Sequence, residues 1–225
     1  MTSILQPTDV LVHIAGLHGL HELKGLATTQ QFWNTNVNST FNLIETARKQ
    51  GVQKVVFLSS ESVHKPTSFY GLTKRINETT FDYYSDTHGM SIVSLRCRAF
   101  SPPDDPLYQR SKEPMVEWVK YFMRGGVHID DVAECVIKAI EFAPDGKHHK
   151  LTVDGAYEYT VDDIANWTPT TYKKYYADYE DVIRKFGLDT YHPPKVKGSE
   201  AAIRLLGYQP KFSLRNALEL LRLAK

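Results

Sequence analysis

The sequence predicts an α/β fold: a mostly parallel sheet with flanking helices and a small C-terminal lobe. Short, nearly continuous apolar runs recur at 10–15, 52–58 and 90–95. Apolar residues at helical spacing fill the intervals 28–50 and 68–88, and a glycine, Gly51 or Gly89, follows each. Strand, helix, strand, helix, strand is the order expected of parallel strands joined by helical crossovers.

Taken in order, Val10-Leu11-Val12-His13-Ile14-Ala15 reads as a strand apolar enough to be covered on both faces. Gly16 and Gly19 then open a turn. Phe32, Val37, Phe41, Leu43, Ile44 and Ala47 form the stripe of one helix over 28–50, stopped by Gly51. Val55 to Leu58 form the second strand, ended by Ser59 and Ser60. Over 68–88, the inward positions are Tyr70, Leu72, Ile76, Thr80 and Tyr84, with Gly89 as the stop and 90–95 as the third strand. Beyond Arg98, Pro102, Pro103, Pro106 and Pro114 exclude a long helix and mark the entrance to the smaller lobe. Asp130 or Asp131 caps a helix carrying Val132, Val136, Ile137 and Ile140, and 151–153 is a short strand. A short amphipathic turn surrounds Ile164. Tyr172, Tyr175, Tyr176 and Tyr179, spaced by three and four, read as one packed helix face rather than a platform for stacking bases. Ser199 caps a helix ended by Gly207, and Leu214, Ala217, Leu218 and Leu221 make a last amphipathic stripe.

The 27 Lys and Arg nearly balance 26 Asp and Glu. No basic field favours nucleic acid or an anionic membrane, so neither is expected as a partner. Cys97 and Cys135 are the only cysteines, too few for a disulfide scaffold or a cysteine zinc site. No apolar stretch approaches the length of a membrane span, and the cytoplasm is the expected compartment.

The most specific chemical feature is Tyr70-Gly-Leu-Thr-Lys74, which sets a phenol and an amine on one helix face about one turn apart. A nearby ammonium stabilises a phenolate, so Lys74 is expected to lower the Tyr70 pKa. Ser59-Ser60-Glu61-Ser62-Val63-His64 follows the second strand, at the carboxyl edge where open parallel sheets hold ligands. There Ser60 can orient a substrate oxygen while Tyr70 moves its proton. The bland alternative for this segment is a polar turn. A serine nucleophile at Ser60 lacks the Gly-x-Ser-x-Gly elbow. A zinc site from His13, His18 and His21 lacks a metal-binding motif, and no metal is expected.

His13-Ile-Ala-Gly-Leu17, Asn36-Val-Asn-Ser-Thr40, Val56-Phe-Leu-Ser-Ser60, Tyr70-Gly-Leu-Thr-Lys74 and Glu78 occur in the order seen in extended short-chain dehydrogenase/reductases. Val93-Ser-Leu-Arg96, Val127-His-Ile-Asp-Asp-Val-Ala133 and Leu206-Gly-Tyr-Gln-Pro-Lys-Phe-Ser-Leu214 match later landmarks. The chain resembles the NAD-dependent epimerase/dehydratase group, including UDP-galactose 4-epimerases, over almost its whole length. The resemblance implies a Rossmann-like core with Tyr70 as catalytic acid or base. It makes Lys74 the partner of Tyr70 and of the nicotinamide ribose, and Ser60 the residue orienting the reacting oxygen. Ala15, Gly16, Leu17 and Asn36 would line the cofactor, NAD with NADP left open, and Arg124 would meet the substrate diphosphate. Asp131 is expected to cap a helix rather than touch substrate.

Members of that group begin with a glycine-rich phosphate loop, whereas this chain resembles them from about their fourth strand. Gly16 and Gly19 do not replace the loop, because position 22 is Glu and the position expected to hold a ribose-binding acid is Asn36. The expectation is a truncated Rossmann-like core at 1–100 with returning elements in 127–160, and a substrate-domain-like lobe over most of 101–225. NAD binding by the chain alone is expected to be weak or absent, and the edge at 10–15 to lie unpaired. The functional expectation is epimerase/dehydratase-like chemistry on a nucleotide sugar or related hydroxylated substrate when the missing half is supplied. The alternative is a noncatalytic assembly protein, a homodimer through the 28–50 and 68–88 helices or a chain covered at its sheet edge.

Overall fold

The computed structural model describes residues 5–102, 104–105 and 112–224. The chain divides into two compact units, Met1–Cys97 with Val136–Thr152, and Arg98–Cys135 with Val153–Lys225.

The first unit is built on strands β1 (Val10–His13), β2 (Lys54–Ser60), β3 (Ser91–Cys97) and β4 (His148–Val153), in the order β1-β2-β3-β4. β1 and β2 are parallel with Val10 opposite Lys54, and β2 and β3 are parallel with Ser60 opposite Cys97. This is the predicted mostly parallel sheet. β2 and β3 each run two residues past the predicted ends, so Ser59 and Ser60 are strand residues. β4 likewise starts earlier than predicted.

β1 differs from its expectation. Val10, Leu11 and Val12 are only half-buried and Ile14 is exposed. Among the described residues β1 pairs with β2 alone, which leaves its outer backbone groups facing away from the sheet.

Between β1 and β2 lie the short helix α1 (Gly19–Leu23) and a long helical stretch made of α2 (Thr29–Phe32), a π-helical segment (Trp33–Asn38) and α3 (Ser39–Lys49). The wider π turns shift the inward face. Phe32, Asn36, Thr40, Ile44 and Ala47 are buried, while the predicted Phe41 is 51% exposed. A 3₁₀ turn (Glu61–Val63) leads from β2 to α4 (Phe69–His88). α4 stops at Gly89, whose φ of 63° is the left-handed conformation that glycine adopts without strain. Its inward face is Gly71, Thr73, Lys74, Asn77, Glu78, Phe81, Tyr84 and Ser85, and Leu72 points outward. The apolar core of this unit gathers Ile44, Val55, Phe57, Phe81, Tyr84, Met90 and Ile92.

The second unit contains α5 (Pro114–Met123), which begins at the last of the four prolines. Pro114 occupies the first turn, where its missing N–H has no intrahelical role, so the helix starts on it. Pro103 and Pro106 lie outside the described residues. In α6 (Ile129–Glu141), Val132, Cys135 and Ala139 are buried, whereas the predicted Ile137 and Ile140 are exposed. Asp131 does not cap this helix. Its buried carboxylate accepts the Lys211 and Phe212 amides at 2.9 and 3.1 Å, bracing the approach to α11 (Leu214–Leu223). Five further short helical pieces, α7 (Val161–Ala165), α8 (Lys173–Tyr176), a 3₁₀ turn (Ala177–Tyr179), α9 (Glu180–Lys185) and α10 (Glu200–Leu206), complete the described part. Tyr172, Tyr176 and Tyr179 are buried with the α11 stripe of Leu214, Ala217, Leu218 and Leu221, as the helix-face reading expects. Ser199 precedes α10 but its hydroxyl accepts the Asp154 amide instead of capping the helix.

Candidate active site

β2 ends at Ser60 and α4 begins at Phe69, and the 3₁₀ turn between them brings strand end and helix start together. Ser60 is extended, with φ −153° and ψ 148°, and its Oγ accepts the Ser62 amide at 3.2 Å. Its hydroxyl is close enough to the Tyr70 phenol to favour the phenolate. Lys74, one turn further along α4, is 6% exposed and turns toward the same strand, donating to the Leu58 carbonyl at 2.7 Å. The ammonium also lies 4.5 Å from the Phe57 ring centroid and 5.9 Å from that of Tyr70. Ser60, Tyr70 and Lys74 therefore meet at the carboxyl edge of β2.

The electrostatics correct one expectation. Burial pushes the Tyr70 phenol above its ordinary value, and the Ser60 hydroxyl works against that shift without reversing it. Burial also brings the Lys74 amine down to about 8, opposed by Cys97 and Glu78. Desolvation disfavours whichever form is charged, so both groups are held toward neutrality. The protein by itself presents Tyr70 as a protonated phenol. Lys74 is near it without ionising it.

Asn36 does not line an open surface. It is 2% exposed, and its side chain closes two bonds on one residue: Oδ1 accepts the Leu17 amide and Nδ2 donates to the Leu17 carbonyl, each at 2.8 Å. Nδ2 also reaches Thr73 Oγ1 at 3.1 Å. Asn36 thus fixes the 15–17 segment and ties it to α4. Ala15 and Gly16 are exposed and Leu17 half-buried. A Cβ on Gly16 would come within 3.1 Å of Asn36 Oδ1, so the glycine lets the clamp close. A side chain at Gly19 would come into van der Waals contact with the Tyr70 ring, and His18 caps α1 through its side chain, an arrangement unlike a phosphate loop.

His13 sits at the end of β1, 5% exposed, with Nε2 and Thr40 Oγ1 2.8 Å apart and its ring 5.4 Å from that of Phe57. Burial, aided by the Lys74 charge, lowers its pKa to about 4. His18 and His21 cap each other around α1. The three histidines do not converge, and no metal-holding cluster occurs among the described residues. Arg124 belongs to the second unit, an exposed residue closing α5, and its carbonyl accepts the Lys195 amide.

Beneath the site, Ser59 Oγ donates to Glu78 Oε1 at 2.6 Å, and Arg96 grips both Glu78 oxygens at 2.6 to 3.2 Å. This group joins β2, α4 and β3 directly behind Ser60. Glu78→Ala is expected to destabilise the protein by about 3–5 kcal/mol, because it strands a largely buried guanidinium. Urea denaturation of both proteins measures the difference.

A second chain has the residue types of a hydrolytic triad. Ser94 Oγ and His148 Nε2 are 2.7 Å apart, and His148 Nδ1 is 2.8 Å from Asp82 Oδ1. Ser94 is wholly buried in the middle of β3, so no substrate carbonyl reaches it and the chain is structural.

Residues 1–153 match the description NAD dependent epimerase/dehydratase family. The chain belongs to that family. Uronate dehydrogenase of Pseudomonas putida is 23% identical, the match covering 71% of this chain and 57% of that protein. An uncharacterised protein of Methanocaldococcus jannaschii is 25% identical over 94% of this chain and 70% of its own length. This epimerase/dehydratase family member thus spans little more than half of the first relative. Among solved structures, a UDP-galactose 4-epimerase superposes with a TM-score of 0.60 at 21% identity, covering 94% of this chain and 75% of the other. A UDP-glucuronic acid 4-epimerase from Bacillus cereus, solved with NAD, gives 0.61 at 19%, covering 94% and 72%. These likenesses concern the fold. No helix among the described residues is long and apolar enough to cross a membrane.

Proposed function

We propose that the chain carries the reacting half of an NAD-dependent enzyme acting on a hydroxyl-bearing carbon of a nucleotide sugar or related sugar. The observation that carries this is the meeting of Ser60, Tyr70 and Lys74 at one strand end. Several solved relatives are described as complexes with NAD and UDP sugars. Two relatives are uronate dehydrogenases, which keeps a free sugar acid within the substrate class.

The residues present fit the nicotinamide ribose end of NAD. Lys74 offers a buried amine with one of its donors spent on Leu58, and the Gly16 backbone is exposed beside the Asn36 clamp. When bound, NAD supplies the acceptor for a hydride from the sugar carbon. Ser60 then orients the substrate oxygen, and Tyr70 holds or moves the proton at its phenol oxygen. A protonated Tyr70 is the form that donates to a carbonyl oxygen. Asn36 acts one step back, holding the 15–17 backbone in place. Arg124 is proposed to meet the anionic part of the substrate.

No pyrophosphate cradle is assigned among the described residues. Calorimetric titration of the chain with NAD and NADH is therefore expected to show weak binding, with Kd well above the micromolar range typical of substrates. A heat signal lost in Lys74→Met supports the reading. Absence of any signal at millimolar cofactor from a folded sample counts against it.

A second reading is favoured by exposed apolar residues on the same helices. Trp33 is 38% exposed and Phe41 51% on the 29–49 stretch, with Leu72 at 37% and Tyr83 at 57% on α4. A chain that forms stable dimers and binds no NAD would make assembly its role.

A further inference from the structure

The start of α4 is capped in an unusual way. The first amides of a helix lack intrahelical partners. Ser68 satisfies one, its hydroxyl accepting the Gly71 amide at 3.0 Å. A local capping box would place Glu or Gln at position 71. The position is glycine because a Cβ there would meet the Ser62 carbonyl oxygen at 2.8 Å, in the turn that carries Ser60 toward the phenol. The closeness that assembles the site therefore forbids the local cap.

Glu22 supplies acceptors for the Phe69 and Tyr70 amides, which no local cap serves, from 47 and 48 residues away. Its Oε1 takes the Phe69 amide at 2.8 Å and its Oε2 the Tyr70 amide at 2.9 Å. Glu22 lies on α1, a helix with no buried residue, whose neighbour Leu23 is 81% exposed. The segment ahead of α1 is also moored by the Asn36 clamp on Leu17.

We propose that Glu22 is a positioning residue for Tyr70: its carboxylate fastens the α1 strap across the first turn of α4 and sets the place and the ionisation of the phenol. The proposal rests on the reading of Tyr70 as the group that moves a proton. A negative charge at a helix N-terminus offsets the positive end of the helix dipole. Removing it leaves Tyr70, in the first turn, facing a more positive end that favours the phenolate.

Glu22→Gln is close to isosteric and removes the charge, and Glu22→Asp keeps the charge on a shorter arm. The Tyr70 phenol is read as the tyrosinate absorbance difference between each protein and the same protein carrying Tyr70→Phe. In Glu22→Gln the phenol is expected to ionise roughly two- to five-fold more readily, with Glu22→Asp nearer wild type. Hydrogen exchange at the Phe69 and Tyr70 amides and tryptic cleavage after Lys24 are expected to quicken in Glu22→Gln. Unchanged exchange, cleavage and phenol ionisation would overturn the proposal. Neither readout requires turnover, so an active-site reading that fails by showing no NAD chemistry leaves them standing. A purely structural cap would alter exchange without moving the phenol, and that result also overturns the proposal.

Discussion

Tyr70→Phe is expected to lower kcat by about 10²–10⁴ on any sugar the chain oxidises or reduces, the usual worth of a positioned acid or base. The substitution removes one oxygen and keeps the ring. The bonds of Ser60 to Ser62 are left in place, so the cost in stability is expected to stay below about 1.5 kcal/mol. The two effects separate cleanly, since turnover falls by orders of magnitude while the urea midpoint moves little. Turnover measured by NADH absorbance with wild-type-like kcat in Tyr70→Phe would remove Tyr70 from the chemistry. A drop confined to KM would make it a binding group.

Lys74→Met is expected to make the protein more stable and inactive. An amine that titrates near 8 in the fold and at 10.5 when exposed carries a charging cost of roughly 3 kcal/mol at neutral pH. Methionine fills the same space without that cost, but leaves the Leu58 carbonyl short of a donor, about 1–3 kcal/mol. The net expectation is a gain on the order of 1 kcal/mol. The pH dependence gives the sharper test. Between about 8 and 10.5 the unfolded chain holds the Lys74 proton more tightly than the folded one, so wild-type stability rises with pH through that window. Below the folded value both states are protonated and the penalty is complete. In Lys74→Met this rise disappears, as measured by urea denaturation at successive pH values. A variant less stable than wild type at neutral pH, with the rise intact, would show that the amine is not the group held against its charge.

The apolar runs and glycine stops were readable because each is a local cause with a local effect. Val55, Val56 and Phe57 are buried as a two-sided strand requires, and Gly89 and Gly207 take left-handed conformations at the ends of their helices. The spacing of Tyr70 and Lys74 placed them together for the same reason. The polar interior was less readable. Asn36, Thr40, Thr73, Asn77 and Glu78 are buried because they satisfy one another and nearby backbone groups. An apolar stripe says nothing about such a face, which is why Leu72 and Phe41 were assigned inward and are exposed. Glu22 was legible only as the residue that broke a glycine pattern. Its partners lie on another helix, where the first amides of α4 have no intrahelical acceptor. The depressed charge on Lys74 likewise depends on how deeply its neighbours enclose it.

The π-helical segment at Trp33–Asn38 has a consequence for sequence change in this chain. A wide turn accommodates one residue more than regular helical winding. A loss within the wide turn is taken up as the winding tightens, whereas losing a single residue from the regular α3 would swing everything upstream by about 100° around the axis. Asn36 would leave Leu17, and the loop ahead of Tyr70 would lose its anchor although none of Ser60, Tyr70 and Lys74 had been touched. Length along α3, more than composition, keeps the loop and the phenol in step.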